Sequence, residues 1–375
     1  MSQQYFSLHI RMTHHCNADC NYCSSFQHNT SKHMNFEDFK TSLHSIADIF
    51  QRYKLDGGHL TIQYVGGEIL TLPQKEFENC VHFARQFFSN SFSQIIDGVQ
   101  TNLIGSNQRI DQLIDLFGKR IGTSVDHFSN ARTLAGNPDK YRNSFQTQHQ
   151  RISKQGQSIP AIVVVDNQTI DKLEHEILIA NHNHYNLTLR IAFPGGKPIN
   201  NTNLEKLQNK YGQLFDEWIM QQQITIEPFF HLLVQRLSTH HQHHTLNRQT
   251  SGCPFQNDCA KRSLNLEPNG DLYLCLDMAD SGLVPLGNTL RNEFDHSQWR
   301  YLQSRSWKID SVCKQCDYFE ACQGGCMAES LWHHQTINTR SEFCLIWKEL
   351  FKRIDRSIDH FGIKNISHWV NTLQT

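Results

Sequence analysis

The chain has 375 residues and a formal net charge of -1, with 38% hydrophobic and 19% charged residues, the composition of a globular protein with one large and one smaller domain, or two to three in all. No basic stripe points to nucleic acid, no apolar run reaches the roughly 18 residues of a membrane-spanning helix, and residues 1–8 lack the basic start and apolar stretch of a signal peptide. The expectation is a cytoplasmic protein, in which twelve cysteines point to metal binding rather than to disulfides.

Residues 5–12 alternate apolar and polar side chains, as a strand does. A polar, cysteine-bearing loop follows over 16–33. Phe36, Phe39, Leu43, Ile46, Ile49, Phe50 and Tyr53 then recur at helical spacing, with Asn35 as N-cap. Further strands are predicted over 59–65, 95–101, 119–125, 159–165 and 187–193, and helices over 74–88, 107–117, 139–154 and 169–181. Six strands alternating with helices imply parallel βαβ units and an α/β fold, a partial (β/α)6 barrel of the TIM type. In such barrels chemistry sits at the C-terminal ends of the strands, and the first cysteine loop leaves the first of them.

A connecting helix is expected over 204–222. Residues 231–252 read as a polar linker, including the run His240-His241-Gln242-His243-His244, taken as solvated loop. Residues 253–344 carry eight cysteines and little regular periodicity, which suggests a second, metal-organised domain, closed by a helix over 342–363. The expected division is a barrel over 1–230, the linker over 231–252, the cysteine-rich domain over 253–350 and a helical tail over 351–375.

The first loop reads Cys16-Asn-Ala-Asp-Cys20-Asn-Tyr-Cys23. Three thiolates can hold three irons of a 4Fe–4S cubane and leave the fourth open to a small molecule, whereas electron-transfer clusters take four cysteines. The alternative is a zinc site completed by His14, His15 or His28. With Tyr22 before its last cysteine, the C-x3-C-x2-C pattern resembles the radical S-adenosylmethionine (SAM) superfamily. That resemblance implies that the open iron binds SAM and that cleavage of SAM gives a 5′-deoxyadenosyl radical that abstracts hydrogen from the substrate.

By the same resemblance, Gly66-Gly67-Glu68 is similar to the family's Gly-Gly-Glu motif, which receives the SAM amino group, with Ile69 in place of the usual proline. Ser124 and Asp126 resemble a Ser-x-Asp whose serine faces SAM. Arg132 is a candidate for the SAM carboxylate, with Arg142 as the alternative. Asn102, in Gln100-Thr101-Asn102, resembles a Thr-Asn-Gly in which Leu103 replaces the glycine. The plainer reading of Gly66-Gly67-Glu68 is an ordinary turn, and of each of the others a polar residue finishing a buried strand.

Eight later cysteines suffice for two fully ligated 4Fe–4S clusters. Their spacing, with Gly270 between Cys259 and Cys275 and then C-x2-C-x5-C-x3-C, resembles the SPASM domain of peptide-modifying radical SAM enzymes, as does Leu286-Gly287-Asn288. The resemblance assigns Cys253, Cys259, Cys275 and Cys326 to one auxiliary cluster and Cys313, Cys316, Cys322 and Cys344 to the other. A zinc ribbon is the alternative. Cys80 is left over as a small core residue. The implied cofactors are three 4Fe–4S clusters, one binding SAM and two auxiliary, and SAM itself.

A base often assists the loss of an electron from a substrate radical. Asp277 is the candidate, although in the sulfatase-maturating branch the aspartate directly follows the cysteine, where Leu276 stands here; the plainer reading of Asp277 is a solvated loop acid. The expected function is oxidation or crosslinking of a ribosomally made peptide. The expected partners are a peptide or protein substrate, a reducing donor such as flavodoxin or ferredoxin, and a separate leader-recognition protein, since little chain precedes Cys16. Alternatives are an anaerobic sulfatase-maturating, formylglycine-forming enzyme, a small-molecule dehydrogenase, and a non-catalytic iron–sulfur carrier.

Overall fold

The computed structural model describes residues 5–24, 33–193, 203–240 and 255–374. Its centre is a run of parallel strands: β1 (Tyr5–Arg11), β3 (His59–Val65), β4 (Gln94–Gln100), β5 (Ile121–Ser124), β7 (Ala161–Val165) and β8 (Leu187–Ile191). Two short strands, β2 (Asp19–Cys20) and β6 (Arg132–Thr133), form a separate antiparallel pair. Each long strand lies beside the next in sequence. That order has no reversal point, which is the arrangement of a barrel rather than of a doubly wound sheet.

The helices between the strands follow from local sequence. In α1 (Phe36–Tyr53) the buried Phe39, Leu43, Ile46, Ile49 and Phe50 share one face. The Asn35 side chain accepts from the Asp38 backbone N–H, satisfying one of the helix's unpaired donors. Ser106 caps α3 (Asn107–Phe117) in the same way, and Asn137 caps α4 (Pro138–Lys154), whose proline stands in the first turn, where its missing N–H costs nothing. With α2 (Gln74–Phe88) and α5 (Leu173–His182) these helices cover the sheet. Cys80 is fully buried on α2, as a core residue would be.

The 231–252 linker is corrected in its first part. Residues Phe229–His240 form a helix, α7, that follows α6 (Leu204–Gln221) and the short strand β9 (Ile226–Glu227). Leu232, Leu233 and Leu237 are fully buried, and Arg236 makes a bidentate pair with Asp355 at 2.7 and 2.9 Å. The polar composition hid this apolar face. His241, His243 and His244 lie outside the described residues, as do His28 and Cys253.

The later chain extends the same sheet. Strand β10 (Ser263–Leu266) pairs in parallel with the free side of β1, and β11 (Asp271–Tyr273), β12 (Gly287–Asn288) and β13 (Glu293–Phe294) follow antiparallel. Short helices come next: α8 (Leu276–Asp280), α9 (His296–Gln303), α10 (Arg305–Lys308), α11 (Ser311–Lys314), α12 (Phe319–Cys322) and α13 (Met327–His334). The closing helix is divided into α14 (Cys344–Phe361) and α15 (Ile363–Gln374) by Gly362, at φ 81°. Ile346, Trp347, Leu350, Phe351 and Ile354 form the buried face of α14, which packs against α6 and α7. No helix among the described residues is long and apolar enough to cross a membrane.

Candidate functional site

The loops after β1, β3, β4 and β5 meet at one end of the sheet. Met12 continues β1 by donating to the Val65 carbonyl at 2.9 Å. The chain then turns, and backbone bonds clamp the loop to the end of β3: Gly67 N–H donates to the Thr13 carbonyl at 2.7 Å, and Glu68 N–H to the His15 carbonyl at 2.8 Å. A Cβ at Gly67 would lie 2.2 Å from the His15 carbonyl oxygen and 2.5 Å from that of His14. Only glycine permits this approach.

Beyond His15 the three cysteines of the loop come within electrostatic reach of one another. Burial pushes the Cys16 thiol up to about 12, with Glu68, Cys20 and Cys23 adding to the effect. The far side of the loop is held by the β2–β6 pair, which sets Cys20 opposite Arg132. Asn21 N–H donates to the Ala131 carbonyl at 2.9 Å. Asn102 donates to Asn17 Oδ1 at 2.8 Å and approaches the Cys16 sulfur at 3.9 Å. Asn17 in turn donates to the Ile104 carbonyl at 2.7 Å.

Glu68 is 2% exposed. Its carboxylate accepts from Thr101 Oγ1 at 2.6 Å, from Asn102 N–H at 2.6 Å and from Leu70 N–H at 2.9 Å. Burial raises its pKa, against which these bonds and the more distant Arg109 work. Thr101 is a participant that sequence reasoning had not singled out. Leu103 sits at φ 59°, the left-handed region that glycine occupies without cost, so the substitution noted in the sequence falls at a glycine-favouring position.

Arg132 is buried, with its guanidinium 5.3 Å from the Tyr22 ring centre and 5.8 Å from that of Tyr141. Burial disfavours its cation, but Tyr22, Tyr141 and Cys20 outweigh that and hold its pKa up. Among the described residues its Nε has no partner. Arg142 is engaged elsewhere, with the Ser129 carbonyl and Asp139. Ser124 Oγ accepts from Gln100 at 3.2 Å. Asp126 directs both carboxylate oxygens to Ser129 and shapes the turn after β5.

A second ionic group lies beside the loop. Arg11 on β1 pairs with Asp280 at 2.5 Å and with Glu267 at 3.3 Å, all three being buried. His14 lies 3.1 Å from Glu267, and Ser24 donates to Asp280. These links fasten the cysteine loop to the C-terminal part of the chain. Arg190 on β8 pairs with Asp277. The solvated-loop reading of Asp277 is therefore corrected: it lies in the first turn of α8, its side chain is 21% exposed, and burial raises its pKa against the pull of Arg190. The missed residues Arg11 and Arg190 had a signal, each being a lone charge in an apolar strand.

The later cysteines fall into two neighbourhoods. Cys275 precedes α8 and Cys326 precedes α13, and their thiols and that of Cys259 influence one another. Cys313, Cys316, Cys322 and Cys344 line one open pocket, walled by Tyr318, Phe319, Trp347 and Phe351. Among the described residues no three His, Cys, Asp or Glu side chains converge closely enough to share a single metal ion. Four cysteines are the donor set of a 4Fe–4S cluster, as they are of a structural zinc site.

No family model matches the chain. In sequence it is similar to the cysteine-type anaerobic sulfatase-maturating enzyme of Clostridium perfringens (strain 13 / Type A), with 21% identity over 365 residues that cover 90% of this chain and 92% of the relative. In structure it is similar to anSMEcpe with bound AdoMet and Cp18Cys peptide, at TM-score 0.75 and 20% identity over 96% of this chain and 99% of the other. It is also similar to Streptococcus suis SuiB bound to precursor peptide SuiA, at TM-score 0.61 and 14% identity over 91% of this chain and 76% of the other.

Proposed function

We propose, from the chain's standing as a radical SAM superfamily member with a SPASM-like extension, that it oxidises or crosslinks a side chain of a peptide or protein substrate. The observation that carries this reading is the clamp between the Cys16–Cys23 loop and Gly66-Gly67-Glu68. It brings three cysteine thiols and a buried carboxylate, which forms no ion pair among the described residues, to the same end of the sheet. In this reading Cys16, Cys20 and Cys23 hold a 4Fe–4S cluster, and SAM bound at its open iron supplies the 5′-deoxyadenosyl radical.

The chain's own residues have distinct tasks. Glu68 receives the SAM ammonium as a charge-assisted acceptor. Arg132, with its unpartnered Nε, faces the SAM carboxylate, and Asn102 fixes Cys16 and Asn17. Ser124 borders the site; Asp126 supports it through Ser129 rather than by contact. Cys259, Cys275 and Cys326, with Cys253, and separately Cys313, Cys316, Cys322 and Cys344, would hold two auxiliary clusters, which would supply a place for the substrate's electron. Flavodoxin or ferredoxin supplies reducing equivalents. Relatives of this fold bind peptides, which favours a polypeptide substrate over a small molecule.

A second reading, formation of formylglycine in a sulfatase, is favoured by one observation. Asp277 lies partly buried against Arg190 and close to Cys275 despite the one-residue shift, as an acid–base group for a bound side chain would. Anaerobic reconstitution with SAM and dithionite tests both readings. 5′-Deoxyadenosine formation is expected; its absence overturns them. A mass loss of two hydrogens on a candidate peptide supports the general reading, and conversion of a sulfatase-derived cysteine peptide to an aldehyde supports the second.

A further inference from the structure

Arg305 opens α10 and is 0% exposed. Among the described residues no carboxylate pairs with it. Among these residues its guanidinium donates only to backbone carbonyls. Nη1 bonds those of Ile337 and, at 3.0 Å, Thr339; Nη2 bonds those of Gly324 at 3.1 Å and Gly325 at 3.2 Å. Nε has no partner. A buried cation satisfied only by neutral acceptors is costly unless negative charge lies nearby.

The position of those carbonyls identifies the source of that charge. Gly324 and Gly325 lie between Cys322 and Cys326, the shortest stretch of chain joining the two cysteine neighbourhoods. Both glycines have left-handed backbones, at φ 85° and 72°. A Cβ on Gly324 would meet Ile309 at 2.3 Å and Arg305 Nη2 at 3.1 Å; one on Gly325 would meet Ser341 at 2.7 Å. The strap is thus pressed against the arginine with no room to spare. Burial lowers the Arg305 pKa, and Cys259 and Cys326 of one neighbourhood, with Cys313 and Cys322 of the other, work against that.

We propose that Arg305 is a positioning residue for both auxiliary clusters: a fixed cation between them that offsets their negative charge and keeps both reduction potentials high. This rests on the reading that the two cysteine neighbourhoods hold 4Fe–4S clusters. Adding one electron makes a cysteine-ligated cluster more negative. A guanidinium held in a low-dielectric interior stabilises that reduced state, and without it the same electron is harder to place. The Gly324-Gly325 strap gives one residue influence over both sites.

The test is an EPR-monitored redox titration with dithionite of the fully reconstituted protein, comparing wild type with Arg305→Met and Arg305→Lys. In Arg305→Met the reduced-to-oxidised ratio of both auxiliary clusters at a fixed ambient potential is expected to fall at least tenfold, about 59 mV for one electron. Arg305→Lys keeps the charge and should recover most of that loss. The Cys16–Cys20–Cys23 cluster should titrate unchanged in all three. If Arg305→Met does not fold, Arg305→Gln, which retains a donor for the glycine carbonyls, decides on the same criterion. A neutral variant that loads its iron and titrates as wild type overturns the inference. Wild type that binds only about four irons overturns the reading beneath it instead.

Discussion

Arg190, near the end of β8, closes an ion pair with Asp277 in the first turn of α8, the helix that begins directly after Cys275. The pair spans from the last long parallel strand to the cysteine-rich part of the chain. Burial raises the pKa of that carboxylate against the pull of Arg190. Asp277→Asn keeps the shape and removes the proposed base. Product formation is expected to fall by about 10²–10⁴-fold, while 5′-deoxyadenosine release without product continues. Quantifying both species in one assay checks this; parallel loss of both would assign Asp277 to cluster or SAM binding instead.

At Glu68, three donors converge on one carboxylate. Glu68→Gln turns an amide NH2 toward at least one of them. The buried mismatch should cost about 1–3 kcal/mol and weaken SAM binding together. Urea unfolding and calorimetric titration of SAM measure the two effects, and unchanged SAM affinity would remove Glu68 from the site.

Gly67→Ala tests the clamp itself. The added Cβ meets backbone carbonyl oxygens of His14 and His15 rather than a side chain that can swing away. The cysteine loop must move, so reconstituted iron should drop from about twelve to about eight per chain. A colorimetric iron assay reads this directly, and a full complement would show that the loop tolerates displacement.

Glu227 gives a pH dependence independent of any cofactor. Burial raises its pKa from the ordinary 4.5 to about 7, against the His231 N–H that its carboxylate accepts at 3.1 Å. The folded state therefore holds a proton that the unfolded state has released between these values. Stability from this group falls as pH rises from about 4.5 to 7, then levels off. Glu227→Gln keeps the acceptor for α7 and should flatten that slope, stabilising the protein at pH 8 relative to wild type. Thermal melts at pH 5 and pH 8 provide the comparison.

The βα alternation was legible because its signals are local. Helix α3 and strand β3 match their expected bounds, since Ser106 and the 59–65 alternation mark them without reference to the rest of the chain. Helix α7 was missed because its three buried leucines sit among His, Gln and Thr, and composition masked the periodic face. In the candidate site, the cysteines stood out through spacing and Gly66-Gly67-Glu68 through its resemblance to a family motif. Asp126 stood out only through its likeness to a Ser-x-Asp pair, and its partner Ser129, which engages both its oxygens, lies three residues on. Arg11 with Glu267 and Asp280, and Arg190 with Asp277, join residues far apart in sequence. Such partners are fixed by the tertiary fold, and only a charge stranded in an apolar strand hints at them.

Strand β1 is hydrogen-bonded on one side to β3 and on the other to β10, with Ser7 opposite Ser263. During synthesis the first partner follows within some fifty residues, while the second emerges only after most of the polypeptide has left the ribosome. Until then the strand that launches the cysteine loop presents a bare hydrogen-bonding edge, the kind that recruits stray strands. Protection of that nascent edge therefore awaits the arrival of the chain's last third.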